Sequence, residues 1–476
     1  MKVTKDLFSA ATLLACIVLI ASCGPQPTSS TPTAVPTGVP AATPTANAHT
    51  DEYLQLFETV WQTINDEYFD PTFGGVDWHA VHERYRPLVA AAQEEETFYK
   101  LINKMLFELN VSHVAVVPPD QKEQLEPVLS AEGSIGIEVR LLGDEAVITS
   151  VQPGSPGDQA GLRPGFVVQR IDGKTIQQLA DETLQIPPFN ERNQRKRVTG
   201  AILSHFYGPV GEAISIAYLD GEDSLHEQRI TRAQREGRVV LDPALPPFFV
   251  EFEARELEGH IGYVRFNAFL PPVHERFPEA LASLRDTRGL IVDLRGNHGG
   301  FFEVRKALAE QLNAERVLFW SYKGREGIRE VYLEPAKDAY TGPIVVLIDV
   351  MSLSSAEEFS GAMQAINRAA IVGERSAGIC VVADLMQLSN DATFMYPIEQ
   401  TRTADGTVLE GRGVIPDIEV ALDRDLLLQG VDSQLEAAIQ YILQKARPGQ
   451  GGEDEKHGKN RDPEHLAVYS PHRHGV

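Results

Sequence analysis

Apolar residues recur every three or four positions over residues 51–109, which is the period of amphipathic helices. The run DPTFGG at 70–75 interrupts the first helix, and Asp77 is suited to cap the second. The apolar positions of the three helices are Tyr53, Phe57, Val60, Trp61, Ile64 and Tyr68, then Trp78, Val81 and Tyr85, and finally Phe98, Leu101, Ile102, Met105 and Leu109. VSHVAVVPP at 111–119 then predicts a short strand ending at two prolines. We therefore expect a helical N-terminal domain over residues 51–119.

The pattern changes over residues 130–232, where apolar residues alternate and glycine turns replace most helical runs. This alternation predicts a small β-rich module that contains a short helix near residues 158–160.

From residue 245 to residue 445 strands alternate with helices, and the strand runs are almost continuously apolar. Such runs are typical of strands buried on both faces of a parallel sheet. The predicted strands are 259–267, 289–296, 343–350 and 369–374, and the predicted helices are 277–287, 301–312, 354–366 and 432–443. The whole chain is thus expected to be a multidomain α/β protein: a helical segment, a β module and an α/β core with a mostly parallel sheet.

The two ends of the chain have a different character. Residues 1–23 combine a basic start with a short apolar stretch and end in Ala-Ser-Cys, which resembles a bacterial lipoprotein signal with Cys23 as the lipidated residue. An ordinary signal peptide or an uncleaved anchor is the alternative. Residues 24–50 are rich in Pro, Thr and Ala and are expected to be an extended tether. Residues 446–476 are polar and predict a disordered tail.

Composition excludes several classes of function. The 476 residues include 43 Lys and Arg against 67 Asp and Glu, a net charge of -24, which argues against nucleic-acid binding. Three cysteines cannot form a disulfide framework or a zinc site of the CxxC type. We find no cofactor motif, and the histidines of the tail do not have the spacing of a functional metal site.

Two loops follow predicted core strands, where ligands bind in α/β sheets. One is RGNHGG at 295–300, and the other is the serine-rich run at 351–364. Ser354 at the start of a helix can present its hydroxyl to a cleft, beside N–H groups that stabilise developing negative charge. Gly299 and Gly300 allow a second backbone N–H to approach. From these residues alone, Ser354 could be merely a helix cap.

The β module resembles a PDZ domain, because SPGDQAGLRPG at 155–165 is followed by a strand and then by IDG at 171–173. Ser134-Ile135-Gly136-Ile137 lies where PDZ domains have their carboxylate-binding loop. The resemblance implies that these residues bind the C-terminus of a peptide as an added strand. The alternative is a module that serves only as a scaffold.

The motifs DLRGNHGG, SSAEEFSGAM, IVGE and EGRGVIPDIEV occur in this order, downstream of the PDZ-like module. Their order resembles the C-terminal processing peptidases, a family of serine peptidases, over roughly residues 51–445. The resemblance implies that Ser354 is the nucleophile. It also implies that Ser355, together with Gly299 or Gly300, supplies the oxyanion N–H groups.

One branch of that family uses a lysine as the base, but here the lysine position falls on Ile379, and no lysine lies between Ser354 and Lys445. The branch typified by the tricorn protease uses a histidine that follows a serine, together with a glutamate near a GVxPD motif. Ser112-His113 and Glu410 match that pattern. The resemblance therefore implies that His113 is the base, oriented through Ser112 by Glu410. His298 is the rival base.

We therefore expect a serine endopeptidase of the bacterial cell envelope that faces away from the cytoplasm and is anchored to the bilayer through acylated Cys23. It would hydrolyse peptides or proteins without a metal or other cofactor. The alternative is a non-catalytic envelope protein that binds peptide C-termini on a degenerate peptidase scaffold. No motif in the sequence identifies the substrate, the role of the PDZ-like module, the membrane leaflet or the oligomeric state.

Overall fold

A computed structural model describes residues 46–184, 191–242 and 245–446. The predicted signal, most of the predicted tether and almost all of the predicted tail lie outside these ranges. The first helix begins at Ala46, so residues 46–50 are helical and do not belong to an extended tether. In the described part of the chain, none of the helices has the length and apolar character needed to cross a bilayer.

The N-terminal helices form as their apolar period predicts. They are α1 (Ala46–Glu67), α2 (Trp78–Ala90) and α3 (Glu95–Leu106), with 3-10 turns at Phe73–Gly75 and Phe107–Leu109. Asp77 caps α2, because its carboxylate accepts the N–H of Ala80 at 2.9 Å. The predicted strand is reduced to β1 (Ala115–Val117), and the helix α4 (Pro119–Leu129) follows. The apolar faces of α1, α2 and α3 pack together with strands from the C-terminal half of the chain.

The middle module is β-rich and contains an antiparallel sheet of order β3-β4-β5-β8-β9. Its strands are β2 (Gly133–Ser134), β3 (Ile137–Leu142), β4 (Glu145–Val151), β5 (Val167–Ile171), β6 (Lys174–Thr175), β7 (Tyr207–Gly208), β8 (Ala213–Leu219), β9 (Leu225–Thr231) and β10 (Ala233–Gln234). The module is therefore β-rich, as its alternating pattern predicts.

Two helices of this module were not predicted. Besides the short α5 (Pro156–Gln159), the module contains α6 (Ile176–Thr183) and α7 (Glu191–Ser204). The sequence of α7, ERNQRKRVTGAILS, gives no apolar period because its buried positions include Lys196 and Arg197. A helix that buries charged side chains does not show the hydrophobic pattern on which the prediction depends.

The C-terminal core is built on a six-stranded sheet of order β13-β14-β15-β18-β19-β22. All its neighbouring strands are parallel except β13 and β14, so the predicted mostly parallel sheet is confirmed. The core begins with the hairpin β11 (Arg238–Asp242) and β12 (Leu245–Val250). The remaining strands are β13 (Phe252–Leu257), β14 (Ile261–Phe266), β15 (Leu290–Asp293), β16 (Val317–Gly324), β17 (Gly327–Leu333), β18 (Ile344–Ile348), β19 (Ala370–Gly373), β20 (Val381–Gln387), β21 (Thr393–Thr403) and β22 (Ile418–Glu419).

The core helices are α8 (Pro271–Ser283), α9 (Phe302–Gln311), α10 (Ser355–Ala365), α11 (Arg424–Leu428) and α12 (Ser433–Lys445). The helix predicted at 277–287 is α8, which starts and ends earlier. Two prolines open its first turn, where a proline lacks no needed hydrogen bond. The other predicted core helices are confirmed within two residues.

A second, antiparallel sheet was not predicted. It has the order β1-β21-β16-β17, and β20 also pairs with β21. In this sheet Ala115 of β1 pairs with Met395 of β21. The segment before the β-rich module is therefore paired with the core by backbone hydrogen bonds, and this pairing brings residues 112–113 next to Glu410.

Candidate active site

Ser354 lies at the sharp turn between β18 and α10. Its backbone has φ 54° and ψ -114°, and its side chain is 1% exposed. A residue with a side chain pays roughly 1–3 kcal/mol for such a backbone and keeps it only where its surroundings enforce it. The N–H of Ser354 donates to the carbonyl of Ile379 at 3.1 Å and to the carboxylate of Glu357 at 3.2 Å. These hydrogen bonds to Ile379 and Glu357 thus fix the conformation of the turn.

Glu357 is a fully buried carboxylate one helical turn after Ser354. It accepts hydrogen bonds from the Ser376 hydroxyl at 2.6 Å and from the N–H groups of Gly378 at 2.7 Å and Ile379 at 2.8 Å. Burial raises the pKa of Glu357, although these donors oppose the shift. Glu357 therefore attaches the loop of residues 376–379 to the start of α10.

The glycine loop after β15 packs directly against Ser354. A side chain on Gly299 would place its Cβ 2.9 Å from the Cβ of Ser354, so only glycine fits there. The N–H of Gly299 donates to the Asn297 side chain at 2.9 Å. Among the residues that the structure describes, no acceptor contacts the N–H of Gly300 or that of Ser355. The structure thus separates the two predicted glycines: Gly299 allows close approach, and Gly300 has the available N–H.

Ser112, His113 and Glu410 are brought together although Ser112 and Glu410 are 298 residues apart. The Nδ1 of His113 lies 2.7 Å from the Ser112 hydroxyl, which lies 2.9 Å from Oε2 of Glu410. Oε1 of Glu410 accepts the N–H of Ser112 at 2.6 Å, and Oε2 also accepts the N–H of Cys380 at 2.7 Å. Burial raises the pKa of Glu410 to about 7 despite these donors. His113 has φ 56° and is 2% exposed.

Ser354 and Glu410 are each hydrogen-bonded to one of two consecutive residues, Ile379 and Cys380. Ile379 holds the N–H of Ser354 through its carbonyl, and Cys380 holds Glu410 through its N–H. Ile379, which occupies the position that the resemblance would assign to a lysine base, lies in a small apolar cluster with Leu353 and Ala377.

Three sequence models match the chain. Residues 260–420 match peptidase family S41, residues 49–107 match the tricorn protease C1 domain, and residues 147–186 match the PDZ domain. The S41 match includes both the glycine loop and Ser354.

The chain is a serine peptidase. Curated relatives agree: the carboxyl-terminal-processing protease of Synechocystis sp. is 27% identical over 78% of this chain and 81% of the relative. The carboxyl-terminal-processing peptidase 2, chloroplastic, of Arabidopsis thaliana is 28% identical over 77% of this chain and 68% of the relative. A solved photosystem II D1 C-terminal processing protease shares the fold, with a TM-score of 0.52 and 21% identity over 80% of this chain and 98% of that one.

His298, the rival base, lies on the glycine loop of the peptidase. Its backbone N–H donates to Asn267 at 2.9 Å, and its ring packs edge-on against Phe248. Burial, together with the positive charge of the nearby Lys196, lowers the pKa of His298 to about 4. Within the described ranges, no hydrogen bond joins its ring to Ser112 or Glu410.

The predicted PDZ loop of the peptidase is closely bonded within its own module. The N–H of Gly136 donates to the Ser134 hydroxyl at 2.9 Å, the carbonyl of Gly136 accepts from Gln152 at 2.8 Å, and the carbonyl of Ile135 accepts from Gly157 at 2.8 Å. Ile135 and Ile137 are buried. Strand β3, which follows this loop, is at the edge of its sheet, where an added strand can pair.

Several residues that position the site were missed. Arg192 on α7 donates to the carbonyls of Ser376 at 3.0 Å and Gly411 at 2.9 Å, so a PDZ helix holds both loops beside Ser354 and Glu410. Asn193 on the same helix lines a cavity of about 210 Å³ together with Ile379 and Glu410. No motif marks these contacts, because each forms between segments far apart in sequence.

A second missed link joins the PDZ domain to the nucleophile turn. The buried Arg140 of β3 donates to Asp349 at 2.6 Å. The other oxygen of Asp349 accepts the N–H groups of Gly296 at 3.1 Å and Met351 at 2.9 Å. Asp349 therefore orders the start of the glycine loop and the approach to Ser354. Among the described residues, no group of three or more His, Cys, Asp and Glu side chains is arranged to hold a metal ion.

Proposed function

We propose that the peptidase is an endopeptidase in which Ser354 is the nucleophile and His113 the general base. The observation that carries this proposal is the hydrogen-bonded series Glu410–Ser112–His113, attached at Cys380 beside the residue that holds Ser354. Histidine suits this role because its ordinary pKa lies near neutral pH. Ser354 attacks the substrate carbonyl, and His113 takes the serine proton and then delivers it to the leaving amine.

The hydrogen-bond directions favour the active form of the base. When Glu410 is ionised it can only accept, so the Ser112 O–H donates to it. Ser112 then accepts the proton on Nδ1 of His113, and this leaves the lone pair on Nε2. That nitrogen is the one that takes a proton during acyl transfer in this mechanism.

The tetrahedral intermediate would place its negative charge between two backbone N–H groups. The N–H of Ser355 is at the start of α10, where the helix dipole favours an anion. The N–H of Gly300 is the second donor that we propose, because Gly299 already donates to Asn297. Two fixed donors aimed at the developing charge are the largest contribution to catalysis in such sites.

We further propose that the substrates are peptides or proteins outside the cytoplasm, cleaved near their C-termini. The support is the similarity to carboxyl-terminal-processing enzymes together with the PDZ domain. Ser134, Ile135, Gly136 and Ile137 would bind the terminal carboxylate, and binding of a labelled peptide compared with its C-terminal amide would check this. Cys23 would carry the lipid anchor, which mass spectrometry of the processed N-terminus would detect.

A serine-reactive fluorophosphonate probe tests the central proposal on the full chain. We expect the wild-type protein to be labelled and Ser354→Ala to lose all labelling, because the activated hydroxyl is gone. Ser224→Ala, at an exposed loop of the PDZ domain, should be labelled as the wild type. Labelling of Ser354→Ala at the wild-type rate would exclude Ser354 as the nucleophile.

A further inference from the structure

Helix α9 carries a buried arginine beside the proposed oxyanion donors. Arg305 is 3% exposed and pairs with the buried carboxylate of Glu358, which also accepts the Thr401 hydroxyl. Its guanidinium donates to the Tyr322 hydroxyl at 2.7 Å and packs over the Trp320 ring at 4.5 Å. The arginine is thus held in one position on several sides.

The same guanidinium donates to the hydroxyl of Ser355 at 3.0 Å. Because Arg305 has no acceptor to offer, Ser355 must use its own proton elsewhere, and it donates to the carbonyl of Gly300 at 2.7 Å. The Ser355 hydroxyl therefore accepts a hydrogen bond from Arg305 and donates one to Gly300. The bond connects the two residues whose backbone N–H groups are the proposed oxyanion donors.

The backbone of the glycine loop explains why this bond matters. Phe269 bridges Gly300 in parallel register by bonding the carbonyl of Gly299 and the N–H of Phe301, each at 2.7 Å. The carbonyl and N–H of Gly300 are left to face away from Phe269. Ser355 supplies the bond that fixes the carbonyl, and so it limits rotation of the residue that carries the N–H.

We propose that Arg305 and the side chain of Ser355 are positioning residues that set the spacing of the two oxyanion donors. This inference rests on the proposed function. Arg305 orients the Ser355 hydroxyl toward Gly300, and Glu358 keeps Arg305 in place. A displacement of about 1 Å at a catalytic group costs roughly 100-fold in rate. The effect should appear in kcat, because the oxyanion forms only in the tetrahedral intermediate and its transition states and not in the bound substrate.

Ser355→Ala tests the inference directly, since it removes the hydroxyl but keeps the backbone N–H and the Arg305–Glu358 pair. With dye-labelled casein as substrate, we expect kcat to fall about 10- to 100-fold with KM within twofold of the wild type. The rate of fluorophosphonate labelling should fall in parallel. Ser283→Ala is the matched control, because that serine also donates to a backbone carbonyl, at the end of α8.

Arg305→Lys supplies a second variant that keeps a cation for Glu358 and so avoids a buried unpaired charge. A lysine cannot contact Ser355 and Tyr322 in the planar geometry of the guanidinium, so kcat should fall about tenfold while the pH profile keeps its shape. A kcat of Ser355→Ala within twofold of the wild type, or a loss confined to KM, would overturn the inference. Failure of Ser354→Ala to abolish labelling would instead overturn the proposed function.

Discussion

The two halves of the proposed catalytic site are assembled in different ways. The nucleophile half consists of the turn at residues 353–357 and the glycine loop at 295–300, and backbone geometry holds it: three positive-φ glycines, one strained serine and a helix start. The base half consists of Ser112, His113 and Glu410, and a few side-chain hydrogen bonds hold it across 298 residues. We therefore expect the first half to tolerate the loss of single side chains better than the second, which depends on the side chains of three residues.

Loss of the base should have the largest effect. We expect His113→Gln to lower kcat/KM on labelled casein about 10³-fold, since positioned general bases contribute roughly 10²- to 10⁴-fold. Glutamine keeps a polar side chain of similar size at position 113, so the fold should be unchanged. His82→Gln, on α2 and bonded to Glu58, is the matched control and should keep wild-type activity. A loss of less than tenfold in His113→Gln would contradict the role of His113 and favour His298 as the base.

The next largest effect concerns Glu410 and depends on pH. Because burial raises the pKa of Glu410 to about 7, its ionised form is present above that pH and is lost as the pH falls through it. A protonated Glu410 no longer enforces the Ser112 O–H direction that keeps the lone pair on Nε2 of His113. Glu410→Gln should therefore be about 100-fold less active than the wild type at pH 8.5.

The same reasoning gives a sharper signature for Glu410. Below pH 7 the wild-type carboxyl becomes neutral like glutamine, so the ratio of wild-type to Glu410→Gln activity should shrink toward one at pH 5.5. Glu419→Gln, at the end of β22, serves as the control and should follow the wild-type profile. A ratio that stays constant from pH 5.5 to 8.5 would contradict the assigned role of the Glu410 charge.

The smallest effect should come from the link between the PDZ domain and the nucleophile half. Arg140→Met leaves Asp349 buried without its cation, so it should lower the Tm and reduce kcat/KM by about tenfold. The base half has no described contact with Arg140, and the shape of the pH profile should be unchanged. Arg238→Met, which breaks an exposed ion pair with Glu275, should change neither quantity. Wild-type activity in Arg140→Met would show that Asp349 needs no partner.

This contrast also explains what could be predicted from the sequence. The parallel strands, the helix after Ser354 and the role of glycine near it follow from local patterns, because a buried strand, a cap and a tight turn each need particular residues within a few positions. The base half followed only from resemblance: nothing near His113 in the sequence indicates Glu410. The proposal of Gly300 over Gly299 as oxyanion donor depends on Asn297, whose side chain accepts a bond that no pattern predicts.

The missed elements have physical causes of their own. Helix α7 buries charged residues and so lacks an apolar stripe. In the second sheet β1 pairs with β21, which is far from it in the sequence, and the sequence near either strand does not indicate this pairing. Arg305 and Glu358 are charged residues in the core, where sequence reasoning expects apolar ones.

The contacts between the PDZ domain and the site restrict how this domain could be exchanged in an engineered enzyme. PDZ domains are often treated as cassettes that can be exchanged to redirect a protein to new ligands. Here the PDZ domain is part of the scaffold of the site. Its Arg192 donates hydrogen bonds to the loops at 376 and 411, and its Arg140 donates one to Asp349. A chimera that replaces residues 130–232 would have to carry over both arginines, and a library built on ligand preference alone would yield mostly inactive hybrids.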